Sequence, residues 1–180
     1  MQHRVLPALW EATQQGRLPV VCDAASCTEG LQEPIAKGPG EYHPLLVVDA
    51  VAFVDELVLP RLPVGSKLGS VALHPTCSST RLGTNAALSR VASAITDDVV
   101  IPDGWGCCTF AGDRGMLHPE LTASATAAEA ASVSRREFSA YASTNLTCEI
   151  GMTRATGHPY QHLLELVDQV TSQPPNPSIP

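Results

Sequence analysis

The residues best suited to chemistry in this 180-residue chain are its six cysteines, at positions 22, 27, 77, 107, 108 and 148. Two of them are adjacent, in the stretch GWGCCTFAGDRG spanning Gly104–Gly115. Adjacent Cα atoms lie about 3.8 Å apart across a trans peptide, whereas a relaxed disulfide wants about 4.4–6.8 Å. Cys107 and Cys108 are therefore poorly placed to bond to each other and well placed to present two thiolates to one centre. The glycines around them let the backbone turn tightly and approach something closely.

The other cysteines fall into a pattern. Cys27 follows the apolar run Leu18–Cys22, Cys77 follows Leu68–Leu73, the Cys107–Cys108 pair follows Asp98–Ile101, and Cys148 follows Phe138–Ala142. Each run reads as a strand, so five cysteines are expected just past the C-terminal ends of strands. Cys22 lies inside its strand and is assigned to the core, where free cysteine is commonly found. Spacing alone does not name the chemistry. Structural zinc usually draws on local C-x2-C pairs, and ferredoxins use C-x2-C-x2-C; neither is present. Metal binding, buried structural thiols and thiol redox chemistry all stay open.

Further residues near these loops are candidates of lower weight. His74, His118 and His158 each precede a proline, a pattern that marks turns and helix starts more often than ligands; His74, three residues before Cys77, is the best placed to bind metal. Asp113 and Arg114 sit between glycines ahead of a helix and are expected to shape the loop rather than cradle a phosphate. Glu149 either orients its loop through backbone N–H groups or faces solvent.

The elements that must position these residues can be read from periodicity. Val5–Gln15, Ala50–Leu59, Leu82–Ile95 and His158–Thr171 read as helices from their apolar residues, and Pro119 suits the first turn of a helix through Val133. Asp23–Gln32, Glu33–Pro44 and Ser143–Cys148 read as loops. Strand, cysteine loop and helix alternate four times, which predicts an α/β fold: a parallel sheet with helices on both faces and the cysteine loops on its C-terminal rim. In such sheets ligands bind at that rim. One domain over residues 1–171 is expected, followed by a disordered tail from residue 172 that carries four prolines. Hydrophobic content of 44% and charged content of 16% are those of a globular chain, and the net charge of −7 without a basic stripe argues against nucleic-acid binding. No apolar run approaches a membrane span, and the first residues lack the layout of a signal peptide. The chain reads as cytosolic, at a membrane only through partners.

Four segments carry a resemblance: DAASCTEGL (Asp23–Leu31), LHPTCSSTRLG (Leu73–Gly83), GCCTFAGDRGMLHPELTASA (Gly106–Ala125) and TCEIGMTRATGHPY (Thr147–Tyr160). They resemble the cysteine-rich CCG domain that occurs in heterodisulfide reductase and in the iron–sulfur component of glycolate oxidase. The likeness is closer still to the C-terminal part of FAD-linked D-2-hydroxyacid dehydrogenases of the D-lactate and D-2-hydroxyglutarate types. The resemblance implies an iron–sulfur electron-transfer module with Cys27, Cys77, Cys107, Cys108 and Cys148 as candidate ligands of a [4Fe–4S] or related cluster. It implies FAD on a preceding part of the enzyme or on a partner chain, together with a ferredoxin-like domain or subunit and an electron acceptor. The chain then reads as truncated at its N-terminus, inactive towards substrate by itself, and an alternative is a docking module without a cluster. Two departures stand out. Thr109 occupies the place of the glycine in CCG, with Gly106 or Gly112 available for its role, and Gly151 occupies the place of the second cysteine in C-x-x-C. The final loop therefore offers one thiolate, and some relatives' clusters use more than four ligands.

Overall fold

The computed structural model describes residues 2–172. The expected tail lies, from residue 173, outside the described residues. The chain is α/β with parallel strands throughout. Helix α1 (Gln2–Ala12) leads to β1 (Val20–Cys22), α2 (Ala25–Lys37) and β2 (Val47–Asp49). Asp49 then caps α3 (Ala50–Phe53), its carboxylate accepting from the amides of Val51 and Ala52 at 3.0 and 3.4 Å. Strands β1 and β2 pair in a two-stranded sheet.

Four further strands form a second sheet: β3 (Val71–Leu73), β4 (Val99–Val100), β5 (Ala140–Ser143) and β6 (Tyr160–His162), in the order β4-β3-β5-β6. The connecting helices are α4 (Cys77–Leu82), α5 (Asn85–Ile95), α6 (Arg114–Leu117), α7 (Pro119–Val133), α8 (Leu146–Thr156) and α9 (Leu163–Ser172). Period-2 alternation along the strands divides the core in two. Val71, Leu73, Ala140 and Ala142 pack with Leu88, Val91 and Ile95 of α5 and Leu163, Leu166 and Val170 of α9. Ala72 and Tyr141 face the other way, onto Val133 of α7 and Met152 of α8. Both faces are covered, as a parallel sheet requires.

This layering places the site. The chain after β3 crosses through α5 on one face, and the chain after β5 crosses through α8 on the other. The neighbouring strands β3 and β5 thus flank a switch point, the crevice where open α/β sheets accommodate ligands.

Five sequence expectations are corrected. Ser143–Cys148 is not a loop throughout, because β5 ends at Ser143 and α8 starts at Leu146, so Cys148 lies in the first turn of a helix. Asp23–Gln32 is not a loop, because α2 starts at Ala25 and runs to Lys37 through Gly30 and Pro34, two residues that read as breakers. Glu33–Pro44 consequently begins as helix. The predicted Leu82–Ile95 helix divides at Gly83, whose φ of +72° ends α4. His158–Thr171 begins with β6 rather than helix: Gly157 at φ +77° stops α8 and the His158–Pro159 step keeps the chain extended.

Candidate metal centre

His74 emerges directly from β3, its amide donating to Ala142 of β5 at 2.9 Å. Two residues on, Thr76 and Ser79 form a reciprocal capping box that starts α4 at Cys77. On the other side of the switch point, α8 begins after β5 and carries Cys148 in its first turn. The double-cysteine segment comes in from β4. Phe110, fully buried, packs on Cys108, Cys148 and Ile150. Gly115 holds that ring in place, since a Cβ there would lie 2.5 Å from it, and its amide donates to the Phe110 carbonyl at 2.7 Å.

The result is a buried group at the junction. Cys108 and Cys148 lie sulfur to sulfur at 3.0 Å, and both are buried. A ring nitrogen of His74 and the two sulfurs all fall within 4.8 Å of one another. His74 Nδ1 is taken by both carboxylate oxygens of Glu129 of α7, each at 2.9 Å, with His74 and Glu129 at 0% and 1% exposure. Its Nε2 is buried and has no hydrogen-bond partner. Soft sulfur and imidazole donors in this number can hold a metal ion.

The charges are mutually adjusted. The hydrogen bond from Cys148 brings the Cys108 thiol down to about 5, with His74 reinforcing the shift against burial. That shared proton and burial push Cys148 up. Burial acts to lower His74, but the pull of the neighbouring Cys108 sulfur and of the Glu129 carboxylate outweighs it and raises the imidazole to about 9.

Cys77 and Cys107 adjoin this inner group. Burial raises the Cys107 thiol, the Thr109 amide hydrogen bond opposes the rise, and the nearby Cys77 adds to it. Charges on Cys77 and Cys107 both reach Cys148. The vicinal pair thus points two ways: Cys108 is buried and Cys107 is exposed. Cys27 is exposed in the first turn of α2, where the neighbouring Ser26 reaches Asn145 at the start of α8 at 3.5 Å, and its charge acts on Cys22. Cys22 itself is half-buried in β1 and packs against Leu6, Ile35, Leu45 and Val47.

Other candidates take quieter places. His118 precedes α7 and is exposed, and His158 stacks on Tyr141 with ring centroids 4.3 Å apart. Asp113 and Arg114 start α6, and the Asp113 carbonyl accepts from the amides of Met116 and Leu117. Glu149 is neither solvent-facing nor bound to backbone: it is buried, its Oε1 has no partner, and burial followed by the charges of Glu165 and Asp23 raises it to about 7. Thr109 itself adopts φ +54°, the left-handed conformation a glycine there would take freely, and Gly112 also has a positive φ, of +71°.

Glu129 is the functional-site residue that sequence reasoning did not find. It sits in an Ala/Ser/Thr-rich helix where an acidic residue reads as a solvent face. The signal was its register: Thr122, Thr126, Glu129 and Val133 form one buried stripe at helical spacing.

No protein-family model matches the chain, and no curated protein is significantly similar to it. Among the described residues no helix is long and apolar enough to cross a membrane.

Proposed function

We propose that the chain is the iron–sulfur electron-transfer module of an FAD-dependent D-2-hydroxyacid dehydrogenase of the D-lactate or D-2-hydroxyglutarate type. The observation that carries this reading is the meeting of Cys108 and Cys148 at 3.0 Å beside His74, with Cys77 and Cys107 adjoining. Cysteines separated widely along the chain converge on one rim. The substrate class rests on the likeness of the four cysteine-bearing segments.

The donors suit such a group. Thiolates of Cys77, Cys107, Cys108 and Cys148 would hold it, and a bound cluster would accept and release single electrons between a flavin and an acceptor. The chain's own contribution is threefold. The switch point brings the donors together, Phe110 and Gly115 close the inner side against water, and Glu129 fixes the orientation of His74. Burial of this kind sets a reduction potential through low dielectric and few solvent dipoles.

The test is anaerobic reconstitution of the full chain with iron and sulfide, followed by mixing with photoreduced flavin. The expected product is a brown protein absorbing broadly near ~400 nm, as thiolate-ligated iron does, that bleaches on flavin addition and recovers with an oxidant. A loaded protein that exchanges no electrons with flavin would contradict the electron-transfer role. Unchanged partner binding by colourless Cys77→Ser and Cys108→Ser chains would favour a docking module instead.

A further inference from the structure

We propose that His74 is itself a ligand of the metal centre, through Nε2, supplying the donor that Gly151 withholds. The inference rests on the iron–sulfur reading for the identity of the group, and on the chain's own geometry for the ligand.

Three observations meet here. The first is an unfinished hydrogen-bond account. His74 is fully buried, Nδ1 is bound by Glu129, and Nε2 has no partner. A buried polar atom left unpaired costs roughly 1–3 kcal/mol, so its persistence calls for an occupant. The second is the arrangement itself. A carboxylate on one imidazole nitrogen, with the other nitrogen left free as Nε2 is here, is the way proteins orient a histidine that ligates metal. The ring nitrogen and the sulfurs of Cys108 and Cys148 lie within 4.8 Å of one another, a reach that donors sharing an ion through bonds of about 2.0–2.3 Å can close.

The third observation concerns Gly151. A Cβ built there would lie 3.8 Å from Cys108 Cβ, 3.3 Å from Thr122 Cγ2 and 3.4 Å from Phe110 Cδ2. Position 151 is therefore against the inner thiol, where a cysteine's sulfur could join the same group, and glycine leaves that corner without a donor. His74 approaches from β3, across the switch point from α8, and fills the inner set to three: His74, Cys108 and Cys148. With Cys77 and Cys107 the site offers five donors, one of them nitrogen. Histidine in place of a thiolate removes a negative charge from the cluster, which raises its reduction potential.

The deciding experiment reads nitrogen at the iron directly. Chain labelled with 15N-histidine, and unlabelled chain, are reconstituted anaerobically, reduced, and compared by pulsed electron paramagnetic resonance. The expected result is a strongly coupled nitrogen that changes isotope signature with the label and vanishes in His74→Cys, which keeps its iron and titrates at a lower potential. An iron-loaded chain with no histidine-nitrogen coupling, or with coupling that survives in His74→Cys, overturns the ligand assignment and leaves the iron–sulfur reading standing. A second pair of variants reads the same claim by iron content: His74→Ala should lose iron, and adding Gly151→Cys should restore it. Full iron retention in His74→Ala counts against a ligand role. To separate the two readings, cobalt(II) is titrated into the metal-free chain. Visible ligand-field bands that shift in His74→Ala support His74 as a metal ligand even if no iron–sulfur cluster assembles, and bands that stay unchanged overturn it.

Discussion

Thr109 holds a backbone conformation its side chain resists. A β-branched residue at φ +54° carries a penalty of roughly 1–2 kcal/mol relative to glycine's freedom there, and its buried Oγ1 has no hydrogen-bond partner. Thr109→Gly gives back about 0.5–1 kcal/mol in unfolded-chain flexibility. The net expectation is a stabilisation of up to about 1 kcal/mol, read as a higher denaturant midpoint in the metal-free chain; a lower midpoint would show the threonine to be relaxed. Glu149 gives a pH signature. Its carboxyl is raised from an ordinary 4.5 to about 7 by burial and then by Glu165 and Asp23. Because the folded state favours the protonated form, the stabilising contribution is complete below pH 4.5 and is lost as pH rises through 7. Above that the ionised group opposes folding by roughly 3 kcal/mol. Glu149→Gln should therefore raise the stability of metal-free protein at pH 8 and change it little at pH 4. An equal effect at both would remove the burial argument.

At the scale of elements, the cysteine segment is held by contact between α6 and Phe110. Gly115→Ala places a Cβ 2.5 Å from the Phe110 ring and 2.9 Å from its Cα, so the ring or the backbone must move. Overpacking of this kind costs about 1–3 kcal/mol, and here it should also open the pocket around Cys108 and Cys148. The variant is expected to melt earlier and to take up less iron on reconstitution than the parent chain; equal loading would show that Phe110 is not needed to close the site. The Glu129–His74 contact belongs to the same scale, since it ties α7 to β3. Removing one partner of a buried hydrogen bond leaves the other unsatisfied at a cost of roughly 1–3 kcal/mol, so Glu129→Ala should lose about that much in chemical denaturation, and an unchanged midpoint would show that His74 does not depend on the contact.

Across the whole molecule, what the sequence revealed and what it hid have physical causes. The strands within Leu18–Cys22, Leu68–Leu73 and Phe138–Ala142 announced themselves as short apolar runs, though Leu18 and Val21 are exposed rather than buried, and Pro119–Val133 matches α7 residue for residue. Both follow from local pattern. The α2 helix was hidden because Gly30 and Pro34 weaken every local signal, while its neighbours in β2 and α4 hold it in place, with Glu29 paired to Arg81. Strand β6 was hidden because Tyr160–His162 is recognisable only by pairing with β5. The division into two sheets depends on which strands meet, which no local pattern encodes. For the site, the rim position of Cys77, Cys107, Cys108 and Cys148 was legible from strand–loop alternation. Their arrangement as an inner and an outer set was not, nor was the carboxylate behind His74, because both depend on side chains from β3, α7 and α8 meeting in space.

The most direct measurement is iron and acid-labile sulfide per chain after oxygen-free reconstitution, made on the parent protein and on the Cys108→Ser/Cys148→Ser double variant. Matched iron and sulfide in the parent, with both lost in a double variant that still folds by circular dichroism, is the result expected. A parent chain that folds yet retains neither iron nor sulfide, or a double variant that retains both in full, would contradict it.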